Sequence, residues 1–139
     1  MDLNIKGKRA LVTGSTSGIG ESVARLLAAE GVIVVVHGRS RERAEAVAAA
    51  IVAAGGGADI ALGDLSTDAG ADAVTAQALA GGAIDILVNN AGRYEHLDWT
   101  TALPEKWSET FEANVLSSVR MIQRLVPAMR LREIGRAHV

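Results

Sequence analysis

One segment of this chain has the residue types and spacing to hold a phosphorylated ligand. Thr13-Gly14-Ser15-Thr16-Ser17-Gly18-Ile19-Gly20 follows a short apolar run and opens an alanine-rich stretch. At such a junction one glycine permits a tight turn, one lets backbone approach a pyrophosphate, and one lets the helix pack close to the sheet. The free N–H groups and positive dipole end of the helix then face the phosphates. Taken alone the spacing, Gly-x-x-x-Gly-x-Gly, also fits a plain strand-to-helix turn.

Other chemistries are excluded by composition. The 139 residues contain no cysteine, so there are no disulfides, thiolate metal sites or cysteine nucleophiles. The three histidines, at 37, 96 and 138, include no pair at metal-ligand spacing, and no metal site is expected. Hydrophobic residues make up 49% and the net charge is −2, which suits a packed domain and gives no whole-chain attraction to nucleic acid or anionic membrane. No apolar run approaches the roughly 20 residues of a membrane span. Met1-Asp2-Leu3-Asn4-Ile5-Lys6 lacks the apolar core of a signal peptide, so a cytoplasmic setting is expected.

Short β-branched runs alternate with longer amphipathic stretches. Strands are expected at 9–13, 32–36, 59–62 and 83–88, and helices at 21–30, 41–54, 67–80 and 104–130. The run 32–36 is continuously apolar, as in a strand buried on both faces. Ser40 can cap the second helix, and Gly55-Gly56-Gly57 stops it. Pro104 suits the first turn of the last helix, and Pro127 predicts a kink near its end. Trp107, Phe111, Val115, Val119, Ile122, Val126 and Met129 recur at helical spacing as one apolar stripe, with Asn114 at its edge. The alternation predicts right-handed βαβ units and a parallel sheet.

Asn89-Asn90-Ala91-Gly92 follows the fourth strand. Together with Thr13-Gly14-x-x-x-Gly18-Ile19-Gly20 it resembles the short-chain dehydrogenase/reductase family from about Lys6 to about Arg130. The resemblance implies an α/β fold: a Rossmann-type doubly wound parallel sheet, truncated after the fourth strand and the following long helix. It also implies NADP as cofactor, with NAD the lesser candidate. NAD-specific members carry an acid after the second strand that binds the ribose 2′-hydroxyl; His37-Gly38-Arg39-Ser40 has none. Arg39 can give a phosphate a bidentate contact, and Ser40 adds a donor; Arg39 also fits a solvated surface position. By the same resemblance Asp64 accepts from the adenine amino group and Leu65 packs near the ring. Asn89 braces the strands, while Asn90, Ala91 and Gly92 lie against the cofactor. His37 reads as a strand-end residue without a chemical role, and Tyr94 as a loop aromatic.

The implied reaction is hydride transfer between a nicotinamide and a carbonyl or alcohol carbon of a small molecule, as in 3-oxoacyl-thioester reductases. Asn114 would supply the asparagine of the catalytic tetrad, holding a water behind a lysine. The tetrad's serine, tyrosine and lysine would lie beyond this chain, which contains no Tyr-x-x-x-Lys. Residues 1–132 therefore read as the N-terminal part of one domain, inactive by itself, from a parent that forms a homodimer or homotetramer. Residues 133–139 read as a non-native tail, the translation of a sequencing adapter. The alternative is a non-catalytic Rossmann module that binds nucleotide.

Overall fold

The computed structural model describes residues 2–132. Four strands, β1 (Arg9–Val12), β2 (Ile33–Gly38), β3 (Gly57–Leu62) and β4 (Ile86–Val88), form one parallel sheet in the order β3-β2-β1-β4. Between them lie α1 (Gly18–Ala29), α2 (Arg41–Ala53) and α3 (Asp68–Ala80). After β4 come α4 (Pro104–Phe111), a π-helical turn (Glu112–Leu116) and α5 (Ser117–Leu131). Among the described residues no helix is long and apolar enough to cross a membrane. The 133–139 segment, expected to be a non-native tail, lies outside the described residues.

The period-two alternation of a strand explains the continuous apolar run. Ala10, Val12, Val34 and Val36 face α1 and α2, where they meet Ala24, Ala28, Ala44, Val47, Ala48 and Ile51. Leu11, Val35 and Ala61 face the other way, onto Ala71, Val74 and Ala78 of α3 and Met121, Leu125 and Met129 of α5. Alanine on the helices lets them approach both faces of a sheet built from valines.

Capping agrees with the sequence. Ser40 Oγ accepts from Arg43 N at 3.3 Å, and Thr67 Oγ1 accepts from Gly70 N at 3.0 Å. Strand β4 is shorter than the expected 83–88, because only Ile86–Val88 pair with β1.

The long helix corrects one expectation. It continues through Pro127 within α5, and a π turn precedes α5. The packed face differs from the expected stripe over most of its length: Trp107, Phe111, Val115, Val119 and Ile122 are exposed, while Val126 and Met129 pack as expected, beside Ser117, Met121 and Leu125. A π turn inserts one extra residue, which rotates the remainder of the helix by about 100° and breaks any stripe drawn across it. Met121, Leu125 and Met129 pack on Ala71, Val74 and Ala78 of α3, and ion pairs flank that contact. Arg120 Nε lies 2.9 Å from Asp68 and its Nη2 2.7 Å from Glu112; Arg124 Nε lies 2.8 Å from Asp72. Asp68 and Asp72 belong to α3, so their pairs bridge α3 and α5.

Candidate nucleotide-binding site

The C-terminal ends of the strands open into a cleft of about 410 Å³. It sits where the sheet order reverses, with β1 leading to β2 on one side and β4 on the other. In open parallel sheets this switch point is where the connecting loops diverge and leave a crevice.

The floor is the glycine loop between β1 and α1. Gly14 has φ +64°, and a Cβ there would come within 2.8 Å of Ala91 Cα. A Cβ on Gly20 would collide with the Gly14 carbonyl oxygen and with Asn90 Nδ2. Both positions therefore demand glycine, and the first turn of α1 is drawn in under the loop. Opposite, Thr13 Oγ1 accepts from the backbone N–H groups of Asn90 (3.0 Å) and Ala91 (2.9 Å). Asn90 Nδ2 donates to the carbonyls of Thr13 and Gly14 at 3.0 and 3.1 Å. The strand-bracing asparagine is thus Asn90, and not Asn89, which is exposed.

The cleft brings together Gly14, Thr16, Ser17, Ile19 and Gly20 with Arg39, Asp64, Leu65, Asn90, Ala91 and Gly92. Four expected residues stand apart from it. Ser15 is fully buried, its Oγ accepting from His37 N at 2.9 Å. Gly18 turns the chain into α1 with φ +58°. Ser40 is engaged as the α2 cap. Asn114 holds the loop behind the cleft: its Oδ1 accepts from Arg93 N at 2.9 Å, and its Nδ2 donates to the carbonyls of Arg93 (2.8 Å) and Thr110 (2.9 Å). It is exposed, and it sits in the π turn beside Ala113, which does line the cleft.

Sequence reasoning missed His37, Arg43, Gly63, Ser66 and Arg93, all of which line the cleft. Arg43 carried a legible signal, since it falls on the first turn of α2, one turn from Arg39. His37 carried none, because its role rests on loops far away in sequence. Arg39 and Arg43 are exposed and make no side-chain hydrogen bond or ion pair among the described residues. Asp64 accepts from Ser66 Oγ (2.5 Å) and Ser66 N (2.9 Å), and these bonds hold its carboxyl below the usual range. Three arginines, one carboxylate and a helix N-terminus border the cleft, a set of groups whose chemistry suits an anion.

A parallel sheet with helices on both faces, carrying such a cleft at its switch point, defines a Rossmann-type α/β protein. The chain belongs to the short chain dehydrogenase family, whose model matches residues 8–137. It is 39% identical over 136 residues to the uncharacterized oxidoreductase YvrD of Bacillus subtilis, covering 98% of this chain and 51% of the relative. Among solved structures it is similar to L-sorbose reductase from Gluconobacter frateurii complexed with NADPH and L-sorbose. That match has a TM-score of 0.90 at 38% identity, over 95% of this chain and 51% of the other. A gluconate 5-dehydrogenase from Burkholderia cenocepacia, in complex with NADP and tartrate, matches with a TM-score of 0.84 at 35% identity, over 91% and 50% of the two chains. The chain spans about half the length of the curated relatives it matches.

Proposed function

We propose that this chain is the nucleotide-binding half of an NADP(H)-dependent short-chain reductase that transfers hydride between the nicotinamide and a small carbonyl or alcohol substrate. One observation carries the cofactor choice: Arg39 and Arg43, without side-chain partners among the described residues, line the cleft just past β2, and residues 37–40 include no carboxylate. The residues present fit a 2′-phosphorylated dinucleotide. The glycine loop lines the cleft at Gly14 and Gly20 without side chains, and the α1 N-terminus supplies N–H donors beside it. The bound cofactor supplies the hydride.

Each residue then has a task. Gly14, Thr16, Ser17 and Gly20 seat the pyrophosphate, with Ser15 and Gly18 shaping that loop from behind. Arg39 and Arg43 hold the 2′-phosphate, while Ser40 starts the helix that presents them. Asp64 and Leu65 receive the adenine. Asn90, Ala91 and Gly92 flank the ribose and nicotinamide side. Asn114 fixes the loop at Arg93 and stands where the family's water-holding asparagine is expected.

Proton exchange with substrate needs a group that titrates. An amide does not, and no lysine stands four residues after Tyr94 to lower its pKa. The serine, tyrosine and lysine of the reaction would therefore come from sequence outside these 139 residues. The proposed parent is cytoplasmic and works as a homodimer or homotetramer on a small molecule. NADP(H) in the two solved relatives supports this reading.

The test is NADPH oxidation with a panel of ketones, sugars and 3-oxoacyl thioesters, comparing the 139-residue chain with the protein expressed to its natural stop codon. Turnover by the longer protein only, lost when its tyrosine is changed to phenylalanine, is expected. Nucleotide binding without turnover in either protein would favour a non-catalytic module.

A further inference from the structure

We infer that His37 is a positioning residue of this site: its neutral imidazole clamps the β1–α1 glycine loop to the β3–α3 loop and thereby shapes the cleft between them. The inference deepens the nucleotide-binding reading and rests on it for its functional consequence. The ring is 4% exposed at the end of β2. Its Nδ1 lies 2.9 Å from the Gly14 backbone nitrogen, and its Nε2 lies 2.9 Å from the Gly63 carbonyl oxygen. A backbone N–H can only donate and a carbonyl can only accept. Nδ1 must therefore be the bare nitrogen and Nε2 the protonated one, and that single tautomer satisfies both partners.

The backbone completes the clamp. His37 N donates to Ser15 Oγ at 2.9 Å, and Ser15 N donates to the His37 carbonyl at 2.9 Å. Gly63 N donates to the Gly38 carbonyl at 3.2 Å. Gly14 and Gly63 both line the cleft, on the proposed phosphate and adenine sides respectively. The ring thus sets the separation of two walls that must grip one ligand.

Protonation would open the clamp. An imidazolium carries N–H on both nitrogens, so Nδ1–H would face the Gly14 N–H and the bond would become a repulsion. Several charges bear on the ring. Asp64 in the β3–α3 loop favours the charged form and Arg39 after β2 opposes it, while Arg43 of α2 and Arg93 after β4 line the same cleft. Burial outweighs the Gly63 hydrogen bond and the attraction of Asp64, both of which favour the charged form, and keeps the ring's pKa below the ordinary histidine value, so the clamp is closed at neutral pH.

The experiment is done on the protein expressed to its natural stop codon. Long-range nitrogen–proton NMR correlations on the free protein should place the His37 proton on Nε2; a proton on Nδ1 would overturn the clamp whether or not nucleotide binds. NADPH affinity is then measured at neutral pH for wild type, His37→Asn and His37→Leu. Asparagine keeps an acceptor at the Nδ1 position, whereas leucine keeps none. Leucine should weaken binding roughly tenfold, the weight of leaving the Gly14 N–H unpaired, and asparagine should recover most of it. Equal losses in the two variants would overturn the inference. Should the leucine variant fail to fold, the tautomer and the asparagine variant decide it: near wild-type affinity in His37→Asn is expected, and a roughly tenfold loss there would overturn the inference. If wild type binds no NADPH, the proposed function fails while the tautomer still reports on the clamp.

Discussion

Thr13 and Asn90 hold one another twice across the switch point: Asn90 N donates to Thr13 Oγ1 at 3.0 Å, and Asn90 Nδ2 donates to the Thr13 carbonyl at 3.0 Å. The Thr13 hydroxyl also accepts from Ala91 N, so it terminates two backbone donors of the β4 end. Thr13→Val keeps the shape and removes that acceptor. We expect a loss of about 2–3 kcal/mol in urea unfolding, because two part-buried N–H groups lose their partner, with weaker NADPH binding. Thr13→Ser should retain most of the stability.

Cofactor preference is expected to follow Arg39. A charge-assisted contact to phosphate is worth about 1.5–3 kcal/mol, or roughly one to two orders of magnitude in affinity. Arg39→Asp should invert the preference from NADPH to NADH, measured as the ratio of kcat/KM values in the protein expressed to its natural stop codon. An unmutated protein that uses NADH equally well would contradict this.

At the opposite end of the sheet Arg9 is buried, with Nη1 2.6 Å from Asp59 and Nη2 2.8 Å from the Ala78 carbonyl. Its Nε has no partner among the described residues. Asp59→Ala should destabilise by about 1–3 kcal/mol, since a buried guanidinium loses its carboxylate while Asp59 itself is half exposed. Chemical denaturation reads this directly, and the cleft residues should be unaffected in an NMR fingerprint.

Asp64 offers a pH test. Its carboxyl lies below the ordinary value of 3.8 because the Ser66 hydroxyl and backbone N–H bond to the ionised form. A depressed carboxyl contributes stability above its unfolded pKa, and loses it as pH falls through the folded value. Ser66→Ala should therefore raise the Asp64 pKa toward 3.8, followed by NMR titration of the carboxyl carbon. An unchanged titration would show that the Ser66 hydroxyl does not set it.

Self-association is expected of the 139-residue chain. Trp107, Phe111, Val115, Val119 and Ile122 form an exposed apolar surface, and β4 is an edge strand among the described residues. Such surfaces recruit other chains. Light scattering should show concentration-dependent assembly, reduced by Phe111→Ser with Ile122→Ser. A monodisperse, cooperatively unfolding monomer would contradict it.

Much of this architecture was legible in local chemistry. Ser40 announced a helix start because a hydroxyl at that place satisfies an orphan N–H whatever the fold around it. The spacing of Gly14, Gly18 and Gly20 after an apolar run announced a strand-to-helix loop. The continuous apolar run 32–36 announced a strand covered on both faces. These signals lie in short stretches of the chain, whereas the close approach of Ala91 to Gly14 does not.

Other features needed the tertiary structure. The apolar residues of the last helix populate two faces, and periodicity cannot say which one packs. The π turn shifts the phase, and packing on Ala71, Val74 and Ala78 of α3 buries Met121, Leu125 and Met129, with Arg120 and Arg124 paired to α3 beside them. Which of Asn89 and Asn90 braces the strands depends on the pleat of β4, which turns Asn90 toward β1. His37 reads as an ordinary strand end until Gly14 and Gly63, 23 and 26 residues away, close on its two nitrogens. Such contacts come from how distant loops meet at the sheet's edge, and no local spacing encodes them.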